Sequence, residues 1–184
     1  MRTDPEEIIE RLYHGHTEAM EILLAHSRAV AEKSLEIART VPHLNPDLEL
    51  IREAALLHDI GMLHTDAPVL GCRGELPYIC HGVIGRGMLE KEGLEPHALV
   101  CERHVGVGLT SSDIREKGFP IPERDMLPLS VEEKIVCIAD KFFSKLGDLS
   151  EKPMEEVRIS IAEYGGGKLR AFDVLAALLG LAPQ

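Results

Sequence analysis

The feature that most constrains the fold of this chain is the 24-residue segment 17–40, TEAMEILLAHSRAVAEKSLEIART. Its apolar side chains recur at three- and four-residue spacing, which is typical of one face of an α-helix. Pro42 then ends the pattern. Similar signals predict further helices over 5–13, 45–61, 80–93, 95–104, 110–118, 130–147, 153–164 and 168–179. No segment alternates convincingly at period two, so the sequence predicts an all-α fold.

The size and composition of the chain set the scale of this fold. A chain of 184 residues suggests one domain, and 45% apolar residues with only 4% aromatics indicate a core of Leu, Ile, Val and Ala. We therefore predict a single compact helical bundle over 1–147, with an N-terminal helix. A C-terminal helical extension over 148–184 is predicted to pack on the same domain. Its apolar segment AFDVLAALLGLA allows either that packing or a homodimer face.

The charge and the cysteines exclude several classes of partner. A net charge of −11 disfavours nonspecific nucleic-acid binding and docking on anionic membranes. The longest apolar stretch, VLAALLGLA, is too short to span a bilayer, and the acidic N-terminus is unlike a signal peptide. The four cysteines form no CxxC pair and indicate reduced thiols. We expect a cytoplasmic protein with no nucleic-acid or membrane partner.

Six polar side chains fall where helices should bury apolar groups. They are His26, His58, Asp59, His81, His104 and Asp140. Asp140 follows the run IVCIA, where an ionised carboxylate is costly unless it is paired or binds a metal. Asp59 lies near a helix C-terminus, where the helix dipole disfavours negative charge. Any one histidine can be a core residue satisfied by a hydrogen bond, but imidazoles and carboxylates together are ligands for iron, manganese, zinc or nickel. The joint pattern predicts a metal site.

The order of these residues resembles a known family. His26, His58-Asp59 and Asp140, within LLHDIG and CIADKF, resemble the HD superfamily of metal-dependent phosphohydrolases over about 20–147. His81 and His104 match the subset that carries a second metal. The segments HGVIGRGML and CERHVGVGLT also resemble small predicted HD hydrolases of unassigned substrate. The HHExxDGxGYP stretch of HD-GYP phosphodiesterases is absent, so we do not expect that activity.

The resemblance implies a ligand set and a reaction. It implies two divalent metals, with Fe or Mn favoured and Zn, Ni, Co or Mg as alternatives. The first metal would be held by His26, His58 and Asp140, the second by His81 and His104, and Asp59 would bridge them. His58 and Asp59 would form the catalytic centre of a phosphohydrolase that uses a metal-activated water. The bond broken would be a phosphoester or phosphoanhydride in a small anionic substrate, and a nucleotide is favoured.

Substrate contacts and alternative functions remain open at this point. HD hydrolases of diadenosine tetraphosphate share the six-ligand layout and are the leading substrate analogy. The candidates for contact with a phosphate are Arg73, Lys141, Arg103 and Lys33, and each could instead be a solvated surface residue. One alternative function is a di-iron oxygenase of the HD type, and another is a non-catalytic nucleotide-binding module.

Overall fold

The computed structural model describes residues 4–181, and within that range the chain is built almost entirely from helices. The α-helices are α1 (Pro5–Leu12), α2 (Thr17–Thr40), α3 (Leu48–Leu57), α4 (His81–Lys91), α5 (Glu95–Arg103), α6 (Ser111–Lys117), α7 (Val131–Asp140), α8 (Met154–Ala162) and α9 (Gly166–Leu178). Two short strands, β1 (Asp66–Ala67) and β2 (Cys72–Arg73), pair antiparallel. The predicted all-α bundle is therefore confirmed. No helix in residues 4–181 has the length and apolar character that a membrane crossing requires.

Side chains just before several helices fix where those helices begin. The Asp47 carboxylate accepts hydrogen bonds from the backbone N–H groups of Glu49 and Leu50 at the start of α3. Ser130 does the same for the N–H of Glu133 at the start of α7. These bonds satisfy backbone donors that have no partner inside the helix, so the starting points follow from local sequence.

Two helix C-termini differ from the sequence-based boundaries. Helix α3 ends at Leu57, and a 3₁₀-helix (Ile60–His64) follows, so His58 and Asp59 lie between two helices. Helix α7 ends at Asp140 rather than near residue 147. The carbonyl of Phe142 accepts a hydrogen bond from the backbone N–H of Lys152 at 2.9 Å, and is therefore bonded to the returning chain. Helix α7 therefore ends where the chain makes a tertiary contact, and the local periodicity of the sequence does not encode such a contact.

Two apolar clusters hold the helices together. The first joins α2, α3 and α7 to α8 and α9, and its buried members include Val30, Ile51, Val136, Ile161 and Phe172. The second joins α1 and the first half of α2 to α4 and α5, and includes Ile8, Leu23, Ile60, Leu89 and Cys101. Helices α8 and α9 thus share a core with the preceding bundle. The division at residue 147 stays a prediction.

Glycine at position 61 allows the 3₁₀-helix after α3 to approach α4. A Cβ atom at Gly61 would lie 2.1 Å from the carbonyl oxygen of His81 and 2.4 Å from the backbone nitrogen of Gly85. Both distances are far below van der Waals contact, and both neighbouring atoms belong to a backbone that cannot rotate away. Only glycine fits here, and the contact brings residues 58–61 against the start of α4.

We expect Gly61→Ala to lower the free energy of unfolding by roughly 2–3 kcal/mol, because the added methyl group overpacks a backbone contact. Urea unfolding followed by circular dichroism measures this change. Gly87→Ala, in the same α4, is the matched control, since a Cβ there meets nothing within 4 Å. In a helix interior this control should be neutral or stabilise the protein by up to about 1 kcal/mol. Equal stability of the two variants would contradict the close-approach argument.

Candidate metal centre

The six predicted ligands come together because helix ends converge around the middle of α2. His26 lies within α2, whereas His58 follows the end of α3 and His104 follows the end of α5. His81 is the first residue of α4 and Asp140 is the last residue of α7. All six are buried, with exposed fractions from 0% to 9%.

The six side chains form two groups that share one carboxylate. In the first group, Asp140 Oδ1 lies 2.9 Å from His26 Nε2 and 3.4 Å from His58 Nε2. Asp59 Oδ2 lies 3.4 Å and 3.0 Å from the same two nitrogens. In the second group, Asp59 Oδ1 lies 3.3 Å from His81 Nε2 and 3.4 Å from His104 Nε2. The donor atoms within each group lie within 4.8 Å of one another.

Three of the histidines are held by the carbonyl three residues before them. The Nδ1 atoms of His58, His81 and His104 lie 2.7, 2.6 and 2.7 Å from the carbonyl oxygens of Ala55, Tyr78 and Cys101. Because a carbonyl only accepts, each Nδ1 carries the proton and donates it. In a neutral imidazole the lone pair is then on Nε2, which faces the carboxylates. Such carbonyl partners fix the orientation and tautomer of metal-binding histidines.

The arrangement leaves buried polar atoms that a cation would satisfy. His81 Nε2 and His104 Nε2 lie 3.2 Å apart, so in neutral rings two lone pairs face each other. Asp59 Oδ1 and His58 Nε2 are buried and make no hydrogen bond with residues 4–181, whereas Asp59 Oδ2 forms an ion pair with Lys145. Buried polar atoms without partners are costly. These residues therefore fit divalent metals, one in each group with Asp59 between them.

The pKa values of the site reflect burial and strong local charge. Burial lowers the pKa of His81 to about 3 and also lowers the pKa of His104 and His26, so all three favour the neutral form. Burial opposes ionisation of Asp59, but His58 and Lys145 outweigh it and hold its pKa well below the usual range. Burial likewise opposes the charge on His58, and the Asp59 and Asp140 carboxylates raise its pKa to about 9.

Two lysines from the segment after α7 contact the carboxylates. Lys145 Nζ lies 2.6 Å from Asp59 Oδ2. Lys141 Nζ lies 2.5 Å from Asp140 Oδ2 and donates a hydrogen bond to the carbonyl of His104 at 3.1 Å. Both ammonium groups add positive charge beside the ligand groups.

A cavity of about 410 Å³ opens beside the second ligand group. The ligands His81, His104 and Asp140 form part of its wall. Tyr78 also lines it, with its ring stacked on that of His81 at a centroid distance of 4.5 Å. Its hydroxyl is buried and has no hydrogen-bond partner in the described chain. Burial and the Asp59 carboxylate raise the pKa of Tyr78, so the hydroxyl keeps its proton.

The four residues predicted to contact substrate lie in different places. Lys141 lines the cavity. Arg103 Nη1 instead donates to both carboxylate oxygens of Glu133 at 3.0 Å. Lys33 pairs with Glu36 and Glu151 at 3.0 and 2.7 Å. Arg73 lines a separate cavity of about 440 Å³ with His16, Leu63 and His64. The structure thus places one of the four beside the ligand groups, and their roles stay predictions.

Several cavity residues were not anticipated from the sequence. They are Tyr78, Lys117, Phe119, Lys145, Tyr164 and Lys168. Lys145 had a usable signal, because it follows Lys141 by four residues and would share its side of a continuing helix. The others come from separate segments that meet only in the folded chain.

Comparison with known proteins identifies the family. The model of the HD domain family matches residues 23–144. An uncharacterized protein of Methanocaldococcus jannaschii is 38% identical over 123 residues, which cover 65% of this chain and 65% of that protein. The tRNA (cytidine(56)-2'-O)-methyltransferases of Thermoplasma volcanium and Picrophilus torridus are 32% and 31% identical over 127 residues. Those residues are 68% of this chain but only 33% of each methyltransferase.

Solved structures with the same fold extend the similarity over nearly the whole chain. The HD domain of the L. monocytogenes phosphodiesterase PgpH matches with a TM-score of 0.54 and 15% identity, over 94% of this chain and 97% of that one. The same domain in complex with cyclic-di-AMP matches with a TM-score of 0.56 and 18% identity, over 97% and 98%. At such low identity the likeness establishes the fold.

Proposed function

The chain belongs to the HD domain family, and we propose that it is a metal-dependent phosphohydrolase that hydrolyses a phosphoester or phosphoanhydride of a nucleotide. The observation that carries this proposal is the position of Asp59. Its two oxygens each face a different pair of histidine Nε2 atoms. One buried carboxylate between two groups of histidine nitrogens fits two neighbouring divalent metals, which clamp the oxygens of a phosphate ester in two-metal hydrolases.

The protein side chains divide the work as follows. His26, His58 and Asp140 would hold one metal and His81 and His104 would hold the other, with Asp59 as the ligand that both groups share. Metals bound there supply a water of lowered pKa and positive charge for the phosphoryl oxygens. Lys141 and Lys145 add positive charge at the cavity wall, and the Tyr78 hydroxyl donates a hydrogen bond to a phosphoryl oxygen. The buried residues around the cavity hold the ligand histidines in place, so that a phosphate bound there keeps a fixed distance from them.

The comparisons support the substrate class from outside the site. PgpH is a phosphodiesterase, and its HD domain has been solved with cyclic-di-AMP, a nucleotide with phosphodiester bonds. A similar fold with a bound nucleotide makes phosphorylated nucleotides the first ligands to test on this chain. Because the match covers only 33% of each methyltransferase, we do not transfer methyl-transfer chemistry to this chain.

Metal content and phosphate release together test the proposed function. Untagged protein purified without chelators should hold about two divalent metals per chain by elemental analysis. The loaded protein should release phosphate or nucleotide products from a broad nucleotide panel with Mn²⁺ or Fe²⁺. Oxygen uptake measured in parallel separates hydrolysis from di-iron oxidation. Metal binding with no product from any nucleotide, or activity that requires iron and O₂, would contradict the hydrolase proposal.

We expect Tyr78→Phe to lower kcat/KM by about 10- to 100-fold, because a hydrogen bond to a charged group contributes about 1.5–3 kcal/mol. Steady-state kinetics measure this change, and the metal content should stay the same. Tyr13→Phe is the control, since its hydroxyl donates to the Ile60 carbonyl at 2.9 Å outside the cavity. That variant should lose about 1 kcal/mol of stability and keep its kcat/KM. Full activity of Tyr78→Phe would remove Tyr78 from the proposed site.

A further inference from the structure

The cavity beside His81 and His104 is rich in lysine, although the chain as a whole is acidic. The chain has a net charge of −11 and eight lysines in its sequence. Half of these lysines line this one cavity: Lys117, Lys141, Lys145 and Lys168. Asp140 is the single carboxylate among the described lining residues, and no described arginine lines it. Lys141, Lys145 and Lys168 also form ion pairs, with Asp140, Asp59 and Asp113. A partly enclosed cavity with four ammonium groups still concentrates donors for a small anion in an otherwise acidic protein.

The same cavity also collects aromatic rings. The sequence has four Phe, three Tyr and no Trp, and three of these seven side chains line the cavity: Tyr78, Phe119 and Tyr164. Lys117 Nζ lies 5.8 Å from the centroid of Phe119 and 5.7 Å from that of Tyr164. Other lining residues are apolar and include Val105, Val107, Leu109 and Ile161.

The two kinds of residue lie at different depths. Tyr78, Lys141 and Lys145 are beside the buried ligand groups, where Lys145 contacts Asp59. Lys117 is exposed and Tyr164 is 63% exposed, so these side chains stand at the mouth. The cavity therefore has two lysines and the ligand groups at its inner end, further apolar residues in its wall, and an aromatic mouth. A ligand that matches all three has a phosphate at one end and a flat ring at the other.

We propose that the aromatic mouth, defined as Lys117, Phe119 and Tyr164, binds the base of a single nucleotide whose phosphate lies at the inner end. This proposal rests on the proposed function. A base stacks on an aromatic side chain with little dependence on which base it is, and a neighbouring cation adds to the binding energy. The volume of about 410 Å³ lies near the lower end of the range for small-molecule sites, about 300–1,000 Å³, and suits one nucleotide rather than two.

The location of these residues indicates which part of the chain supplies the contact with the base. Tyr164 precedes α9 and Lys168 lies in its first turn, beyond the residues 23–144 that match the family. Lys168 Nζ donates to the Gly108 carbonyl at 2.7 Å and pairs with Asp113 at 2.6 Å, which fixes α9 against the segment around α6. The C-terminal helices thus position one side of the aromatic mouth.

Binding of two matched probes to the metal-loaded full chain tests this proposal. The probes are the non-hydrolysable 5′-methylenephosphonate analogues of AMP and of ribose 5-phosphate, which differ only in the base. Calorimetry should show tighter binding of the AMP analogue.

Tyr164→Ala should weaken binding of the AMP analogue at least about 5-fold, the lower end of the contribution of base stacking, and leave binding of the base-free probe unchanged. Tyr164→Phe, which keeps the ring, should bind like the wild type. Lys117→Ala should also weaken binding of the AMP analogue selectively, whereas replacing the exposed Lys91 at the end of α4 (Lys91→Ala) should not.

Other outcomes would overturn the proposal. The wild type could bind the two probes equally or bind neither. Tyr164→Ala could lose affinity for both probes to the same extent, or cyclic-di-AMP could bind more tightly than the AMP analogue. The result is separable from the proposed function. If the protein hydrolyses nucleotides but binds both probes equally, only the proposed base site is wrong. If it binds the AMP analogue more tightly but holds no metal and hydrolyses no nucleotide, the base site stands and the proposed phosphohydrolase function is wrong.

Discussion

Asp59→Asn should remove both metals at once, because Asp59 is the one side chain within residues 4–181 that belongs to both ligand groups. Asparagine keeps the size of the side chain but loses the negative charge and one oxygen acceptor. We expect the metal content to fall from about two per chain toward zero. The value of kcat/KM should fall at least about 10³-fold, since metal catalysis contributes several kcal/mol and each 1.36 kcal/mol is a factor of ten. Elemental analysis and steady-state kinetics on the same preparation measure both effects.

Two further variants separate a bridging ligand from an ordinary one. His81→Ala removes a ligand of the second group alone and should leave about one metal per chain. Asp66→Asn replaces an exposed aspartate on β1 and should keep both metals and full activity. If Asp59→Asn loses no more metal than His81→Ala, Asp59 does not bridge. The binuclear interpretation would then be wrong.

Phe172→Ala should give the largest loss of stability, although Phe172 lies far along the chain from the predicted ligands. Its side chain is fully buried in the cluster shared by α2, α3, α7, α8 and α9. Truncation of a buried phenylalanine costs about 3–5 kcal/mol, because burial is lost and a cavity remains. For a chain of this size that corresponds to a fall in Tm of about 6–20 °C. Thermal unfolding followed by circular dichroism measures this change.

The unfolding curve of the same variant also tests the proposal that α8 and α9 belong to one domain with the preceding bundle. We expect one cooperative transition in the wild type and in Phe172→Ala. Val174→Ala is the control, since Val174 is on the same helix but 68% exposed, and it should unfold within about 0.5 kcal/mol of the wild type. A separate early transition confined to part of the helical signal would instead make the C-terminal helices an independent unit.

Most helices could be predicted from the sequence because their signals are local. Helix α2 covers Thr17–Thr40, as the apolar stripe and Pro42 predict, and α7 begins after Ser130, whose side chain caps it. The end of α7 could not be predicted in this way. Asp140 is its last residue, and the segment beyond it is bonded to the chain that returns at Lys152. Such a contact depends on where the rest of the chain packs.

The candidate site shows the same division. The six predicted ligands were visible in the sequence as polar residues on apolar faces, and the structure places all six in two buried groups. Two of the four cavity lysines, Lys117 and Lys168, gave no such signal, because lysine is common on any surface. Arg103 and Lys33 neighbour the site in sequence, yet each is paired with glutamate instead.

The sequence by itself determined the helical class, the family resemblance and the side chains too polar for their apolar surroundings. These depend on the period of the helix and on the cost of burying charge, and both can be read from neighbouring residues. Only the tertiary structure showed that the two Asp59 oxygens lie 3.0–3.4 Å from two separate pairs of histidine nitrogens and that four lysines from three segments meet at one cavity. The physical reason is that helix periodicity sets which face a residue occupies, whereas packing decides which helix ends converge. The backbone approach at Gly61 is one such packing contact.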